Sequence, residues 1–167
     1  TLNAEWSEHR WGPVLPYSEV SSLVDEDGRF FPSRDTFFAN NPKTGEVEKE
    51  LRAQIRLALR KGLPISYVDY HMGTAMSTAE LQQVVERLAA EFKLGISEYF
   101  GETYAPTVYR AAPEKKLAKA VKIIGQMNAP KLYLFVLHPG TNTPEMAVLT
   151  DRNPSGLKSM AAHRQAV

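Results

Sequence analysis

Asp69 and His71 stand two residues apart at the end of an apolar, aromatic-rich run, residues 65–73, and His138 follows directly on a second such run. Carboxylates and imidazoles hold divalent cations, orient one another, or move protons near neutrality. On a strand, residues i and i+2 leave the backbone on the same face, so the spacing predicts that Asp69 and His71 share a site. One would bind a metal while the other steers it; the plainer alternative is a histidine donating to a carboxylate at a strand end. Gly73 permits a sharp turn just beyond the pair. The chain has no cysteine, which excludes disulfides and thiolate sites and leaves His, Asp and Glu as metal ligands.

The elements that must position these groups read as strands alternating with helices. Residues 132–137 are six consecutive apolar or aromatic residues, the pattern of a strand buried on both faces of a parallel sheet. Pro139 and Gly140 stop that strand and expose His138. In α/β sheets and barrels, ligands gather outside the carboxyl ends of the strands. The first helix is expected over residues 45–61, with Val47, Leu51, Ile55, Ala58 and Leu59 inward, Glu50 among its polar positions and Gly62 closing it. Ser77-Thr78-Ala79-Glu80 reads as a capping box opening a helix with Leu81, Val84, Val85, Leu88 and Phe92 inward. A short strand over residues 95–100 comes next. A third helix starts at Pro113 with Leu117, Val121, Ile124 and Met127 inward and Lys115, Lys116, Lys119 and Lys122 on the wet face. A last helical piece is expected over residues 157–164. This order implies βαβ units, a mostly parallel sheet and three strands at most. Residues 1–43 read as a long aromatic loop with a turn at residues 25–28. There Trp6, Trp11 and Tyr17 either form a wall for stacking sugar rings or pack the loop down.

A formal net charge of +1 over 167 residues shows no electrostatic footprint for nucleic acid or an anionic membrane. No apolar run approaches the roughly 20 residues of a membrane span. No signal-peptide pattern is visible either, and a cytoplasmic protein is expected. The length suits one domain and is short for a closed eight-fold barrel, which takes about 250 residues.

Several blocks in order resemble the YdjC-like carbohydrate deacetylases, also called the ChbG or HpnK type. They are Glu5-Trp6 with Arg10-Trp11-Gly12-Pro13, residues 22–28 (SLVDEDG), residues 50–55 (ELRAQI), residues 68–74 (VDYHMGT), His138-Pro139-Gly140 and residues 163–166 (HRQA). The resemblance spans nearly the whole chain. It implies an α/β fold, a partial (β/α) barrel of the YdjC/NodB-like type with parallel strands and outer helices, forming a single, incomplete domain over residues 1–167. The family begins with a strand ending in an Asp-Asp pair and carries a Gly-x-His-Leu segment just before the stretch that resembles Thr1-Leu2-Asn3. Neither occurs here, so the chain is expected to be a fragment. Where the family shows Thr-His-Leu-Asp-Ser-His, this chain has Ser66-Tyr67-Val68-Asp69-Tyr70-His71; Tyr67 replaces a common histidine.

The resemblance further implies hydrolysis of the acetamide of an N-acetylated sugar, such as a chito-oligosaccharide, assisted by a divalent cation, Mg or Zn, in an Asp/His/His shell. His71 matches the metal-binding histidine. Asp69 would orient it, and His138 would protonate the leaving amine or stabilise the oxyanion. Trp6, Arg10 and Trp11 are the candidates for substrate contact. Arg10, Arg110 and Arg152 could bind sugar hydroxyls, although each alone reads as a surface residue; His9 and His163 carry no assigned role. Two alternatives stay open, a non-catalytic carbohydrate-binding remnant and another metal-dependent hydrolase, a phosphoesterase or glycosidase, on the same barrel. Oligomeric state is also open, a homo-oligomer included. The fragment alone is expected to bind metal weakly and to hydrolyse nothing.

Overall fold

The computed structural model describes residues 1–6, 9–147, 149 and 164. The chain divides into two compact units, Thr1–Ser97 and Glu98–Val167. In the first, helices α1 (Arg34–Ala39) and α2 (Thr44–Arg60) precede strand β1 (Tyr67–Val68), helix α3 (Ala79–Phe92) and strand β2 (Gly95–Ile96). In the second, strand β3 (Thr103–Tyr104), helix α4 (Pro113–Gly125) and strand β4 (Tyr133–Leu134) precede the short α5 (Pro144–Ala147). Strands β1 and β2 pair in parallel, as do β3 and β4. Each pair is therefore one βαβ unit, as the alternation of elements predicts. The described residues contain four strands, one more than expected, in two two-stranded sheets, one in each unit. The expected helix over residues 157–164 lies outside the described residues except for Arg164.

The strands are shorter than their apolar runs because the ladders are stopped locally. Amides of Thr103 and Ala105 donate to Leu132 and Leu134 at 2.9 Å each. Pro106 follows with no N–H to give, and Gly101 turns the chain on the other side at φ 79°. The six-residue strand expected over residues 132–137 thus pairs over two residues, and Leu132 and Leu137 remain exposed. Likewise, Ser97 donates to Val68 and then Glu98 turns away at φ 68°, so the ladder ends before Asp69.

Helix α2 starts and stops within a residue of expectation, and Gly62 at φ 76° follows it. Its inward face differs in one respect: Glu50, expected among the wet positions, is fully buried beside Val47. Its carboxylate accepts from the amides of Val14 and Leu15 at 2.9 and 3.1 Å and from Gln54 Nε2 at 2.8 Å. One turn earlier, Glu46 accepts from the amide and hydroxyl of Ser22, both at 2.8 Å. Two carboxylates four residues apart thus hold the irregular N-terminal segment on the helix. Burial pushes the Glu46 carboxyl up, but the two Ser22 donors and Lys43 outweigh it and leave it below its ordinary range.

That segment is not the continuous loop expected. It contributes Leu2, Ala4, Val20, Leu23, Val24, Phe30 and Phe37 to the core of the first unit, against Val47, Leu81, Val85 and Ala89 of the helices. Helix α1, which lies within it, opens with a capping box between Ser33 and Thr36. The expected turn over residues 25–28 is present, closed by Gly28 donating to the Asp25 carbonyl at 3.0 Å between the bridged Val24 and Phe30. The expected box at Ser77 and Glu80 does not form. Thr78 caps α3 by accepting from the Leu81 amide, while Glu80 takes the Thr44 hydroxyl. The inward positions of α3 are as expected, save that Phe92 is half-buried and Ala89 joins the core.

Helix α4 is turned by about one residue from its expected face. Leu117, Val121 and Ile124 are exposed, and Lys116, Ala120 and Ile123 are buried with Ala105 and Val108. Small Ala120 allows close approach to that cluster, and the Lys116 stem adds apolar length. Desolvation, reinforced by Arg164, pushes the Lys116 ammonium below its ordinary pKa.

Candidate active site

His71 opens a 3-10 turn, His71–Met76, rather than extending β1. The ladder ends at Val68, but Tyr70 between Asp69 and His71 keeps extended backbone, at φ -125° and ψ 103°. Met72 and Gly73 both adopt left-handed backbone, at φ 57° and 70°, so the sharp turn expected at Gly73 begins one residue sooner. The carbonyl of Met72 accepts from Arg34 at 3.3 Å.

The turn is joined to the first residues of the chain. The buried Thr74 hydroxyl donates to the buried Asn3 Oδ1. Asn3 Nδ2 and the Ala4 amide both donate to the Phe31 carbonyl, at 3.2 and 3.1 Å. Residues 1–6 are thereby held along the turn, and Glu5 meets His71: Oε2 lies 2.9 Å from Nε2. The glutamate side chain is 12% exposed and the histidine 40%. The Trp11 ring stands 6.3 Å from the imidazole, tilted by 55°. Glu5 therefore occupies the place expected of Asp69, which is exposed and makes no side-chain hydrogen bond or ion pair among the described residues. A signal for Glu5 was present in the alternation of Leu2, Ala4 and Trp6, all buried, with Thr1, Asn3 and Glu5.

Asp69 and His71 both line a cavity of about 230 Å³ between α2, α3 and β1, whose walls include Leu51, Ile55, Val85 and Leu88. Two of the three expected substrate contacts have structural surroundings of their own. Trp6 is 8% exposed, in keeping with the packing alternative. Arg10 holds the hairpin, binding Asp25 at 2.6 Å and the Phe30 carbonyl at 2.6 Å. Burial raises the Asp25 carboxyl, but the Arg29 amide, the Arg10 guanidinium and the Asp27 amide together hold it below the carboxylate range. Trp11 is the substrate candidate that stays beside His71, half-buried, and Tyr17 is exposed. In the second unit, His138 is exposed and meets Tyr109 edge-on, centroids 4.8 Å apart at 90°. Arg110 is exposed there, and Arg152 and His163 lie outside the described residues. His9, in the first unit, is exposed.

Imidazole and carboxylate donors suit a zinc or magnesium ion in kind. In number they fall short: among the described residues no three His, Asp or Glu side chains converge. His71 would hold a cation only together with ligands from elsewhere.

Among the described residues no helix is long and apolar enough to cross a membrane. The chain is similar to a carbohydrate deacetylase of Thermus thermophilus, 30% identical over 90% of this chain and 63% of that protein. A carbohydrate deacetylase of Oceanobacillus iheyensis is 31% identical over 52% of the chain and 36% of its own length. The fold is similar to a solved structure from Enterococcus faecalis V583, provisionally described as a cellobiose-phosphate cleavage protein. That match has a TM-score of 0.72 at 21% identity, over 99% of this chain and 66% of the other. The chain thus spans somewhat less than two thirds of the length of the Thermus and Enterococcus proteins. A YdjC-like protein family model matches residues 2–166, and with these similarities the chain belongs to that family.

Proposed function

We propose that the chain is part of a carbohydrate deacetylase that hydrolyses the acetamide of an N-acetylated sugar, chito-oligosaccharides being the test case, with a divalent cation, Mg or Zn. The observation that carries this reading is the Glu5–His71 pair beside Trp11, at the histidine that the family resemblance makes a metal ligand. Similarity to relatives named carbohydrate deacetylases supports the reaction class.

When bound, the cation would supply Lewis acidity toward the acetamide carbonyl and the attacking water. Water adds to the carbonyl carbon, the C–N bond breaks, the sugar nitrogen takes a proton, and acetate leaves. His71 would hold the cation, and the half-buried Trp11 offers an aromatic face to the pyranose ring. Asp69 lends a carboxylate to the cavity wall. His138 is the candidate to protonate the leaving nitrogen or steady the oxyanion, roles suited to an imidazole near neutrality.

Acetate released from N-acetylated chito-oligosaccharides by the protein that carries these residues, with magnesium or zinc added, tests the proposal. Loss of at least about 100-fold is expected in His71→Ala and in His138→Ala, the lower end of what an acid–base group contributes. Undiminished release from His71→Ala would refute it. The absence of a three-donor cluster among the described residues favours a second reading, a carbohydrate-binding remnant. Calorimetry showing sugar binding but no cation binding would select that reading.

A further inference from the structure

We infer that Glu5 is the positioning residue of His71: its carboxylate accepts the Nε2–H and leaves Nδ1 as the nitrogen with an open lone pair. The contact joins residues 66 apart in sequence at 2.9 Å, within the range of a charge-assisted hydrogen bond. It differs from an exposed ion pair, which contributes little. Glu5 is 12% exposed and sits between two buried residues, Ala4 and Trp6. The backbone on either side of the pair is fixed by the Thr74–Asn3 hydrogen bond and by left-handed Met72 and Gly73. A ring nitrogen bonded to a carboxylate cannot also offer its lone pair outward, so the partner of one nitrogen decides which chemistry the other performs. The role toward a cation rests on the deacetylase reading above, whereas the ring tautomer belongs to the cation-free protein.

Long-range proton–nitrogen correlation spectra of the histidine rings, recorded near pH 8 where an ordinary imidazole is neutral, test this directly. His71 is identified by its loss in His71→Gln. The wild type is expected to show His71 as the Nε2–H form alone. Glu5→Gln, whose amide oxygen still accepts, should keep that form, and Glu5→Ala should show a mixture of both tautomers. Zinc should then shift the Nδ1 resonance, with affinity falling about 10–100-fold in Glu5→Ala and less in Glu5→Gln, the range for losing such a partner. An Nδ1–H wild type, zinc on Nε2, or a Glu5→Ala variant matching wild type in both readouts would overturn the inference. The expected tautomers without zinc binding would uphold the positioning of the ring and count against the deacetylase reading alone.

Discussion

His71 owes its surroundings to residues far from it in sequence, and that decided what local spacing could reveal. The Asp69/His71 interval pointed to two residues that line one cavity, and it held no sign of the Glu5 carboxylate that meets the ring. The ladder itself stops at Val68, where Glu98 turns away, so the ring's other neighbours come from outside the strand. Glu5 reaches the ring through Asn3 and Thr74, a link 71 residues long that no local pattern encodes. Thr74→Val removes the hydroxyl from a fully buried bond and is expected to cost about 1–3 kcal/mol, the penalty of a buried acceptor left unmet. Chemical denaturation would measure that loss, and His71 should no longer show the Nε2–H form alone. Asp25 makes the second residue-level prediction. Its carboxyl is held low in the folded state, so the stability it adds is complete above the ordinary carboxylate pKa of about 3.9 and is lost as pH falls through the lower folded value. Asp25→Asn should therefore lower stability at neutral pH and flatten the acid limb of a stability–pH curve; an unchanged limb would contradict the assignment.

Helices were the most legible elements because a 3.6-residue period is written into their side chains. Helices α2 and α3 lie where the apolar stripes predict, and Pro113 opens α4 as expected. Which sector of a helix turns inward depends on what it meets, and here period alone misleads. In α4 the stripe of Leu117, Val121 and Ile124 is the more apolar, yet the neighbouring face with Ile123 is buried. Ile123→Ala should cost about 2 kcal/mol or more, as expected for a buried isoleucine. Ile124→Ala, at 54% exposure, should fall within about 0.5 kcal/mol of wild type. Equal losses in thermal unfolding would argue against the rotated face. Glu50 shows the same limit in α2. A glutamate at a polar-looking position reads as solvated, until two loop amides and Gln54 are found on its carboxylate. Strands were the least legible, since their length is fixed by partners and breakers such as Pro106 rather than by their own apolar runs.

For the molecule as a whole, the order of strands and helices conveyed parallel βαβ units, though not their division into two separate sheets, and the ordered blocks conveyed the family. Of the three-ligand centre that the resemblance implies, His71 is the candidate this chain carries, and the chain spans 63% of its Thermus relative. A calorimetric titration of zinc into the protein and its His71→Ala variant is the most direct measurement. Binding weakened in the variant by more than the roughly 100-fold that an outer partner can account for is expected. Superimposable isotherms would contradict the assignment of His71 as the residue that holds the cation.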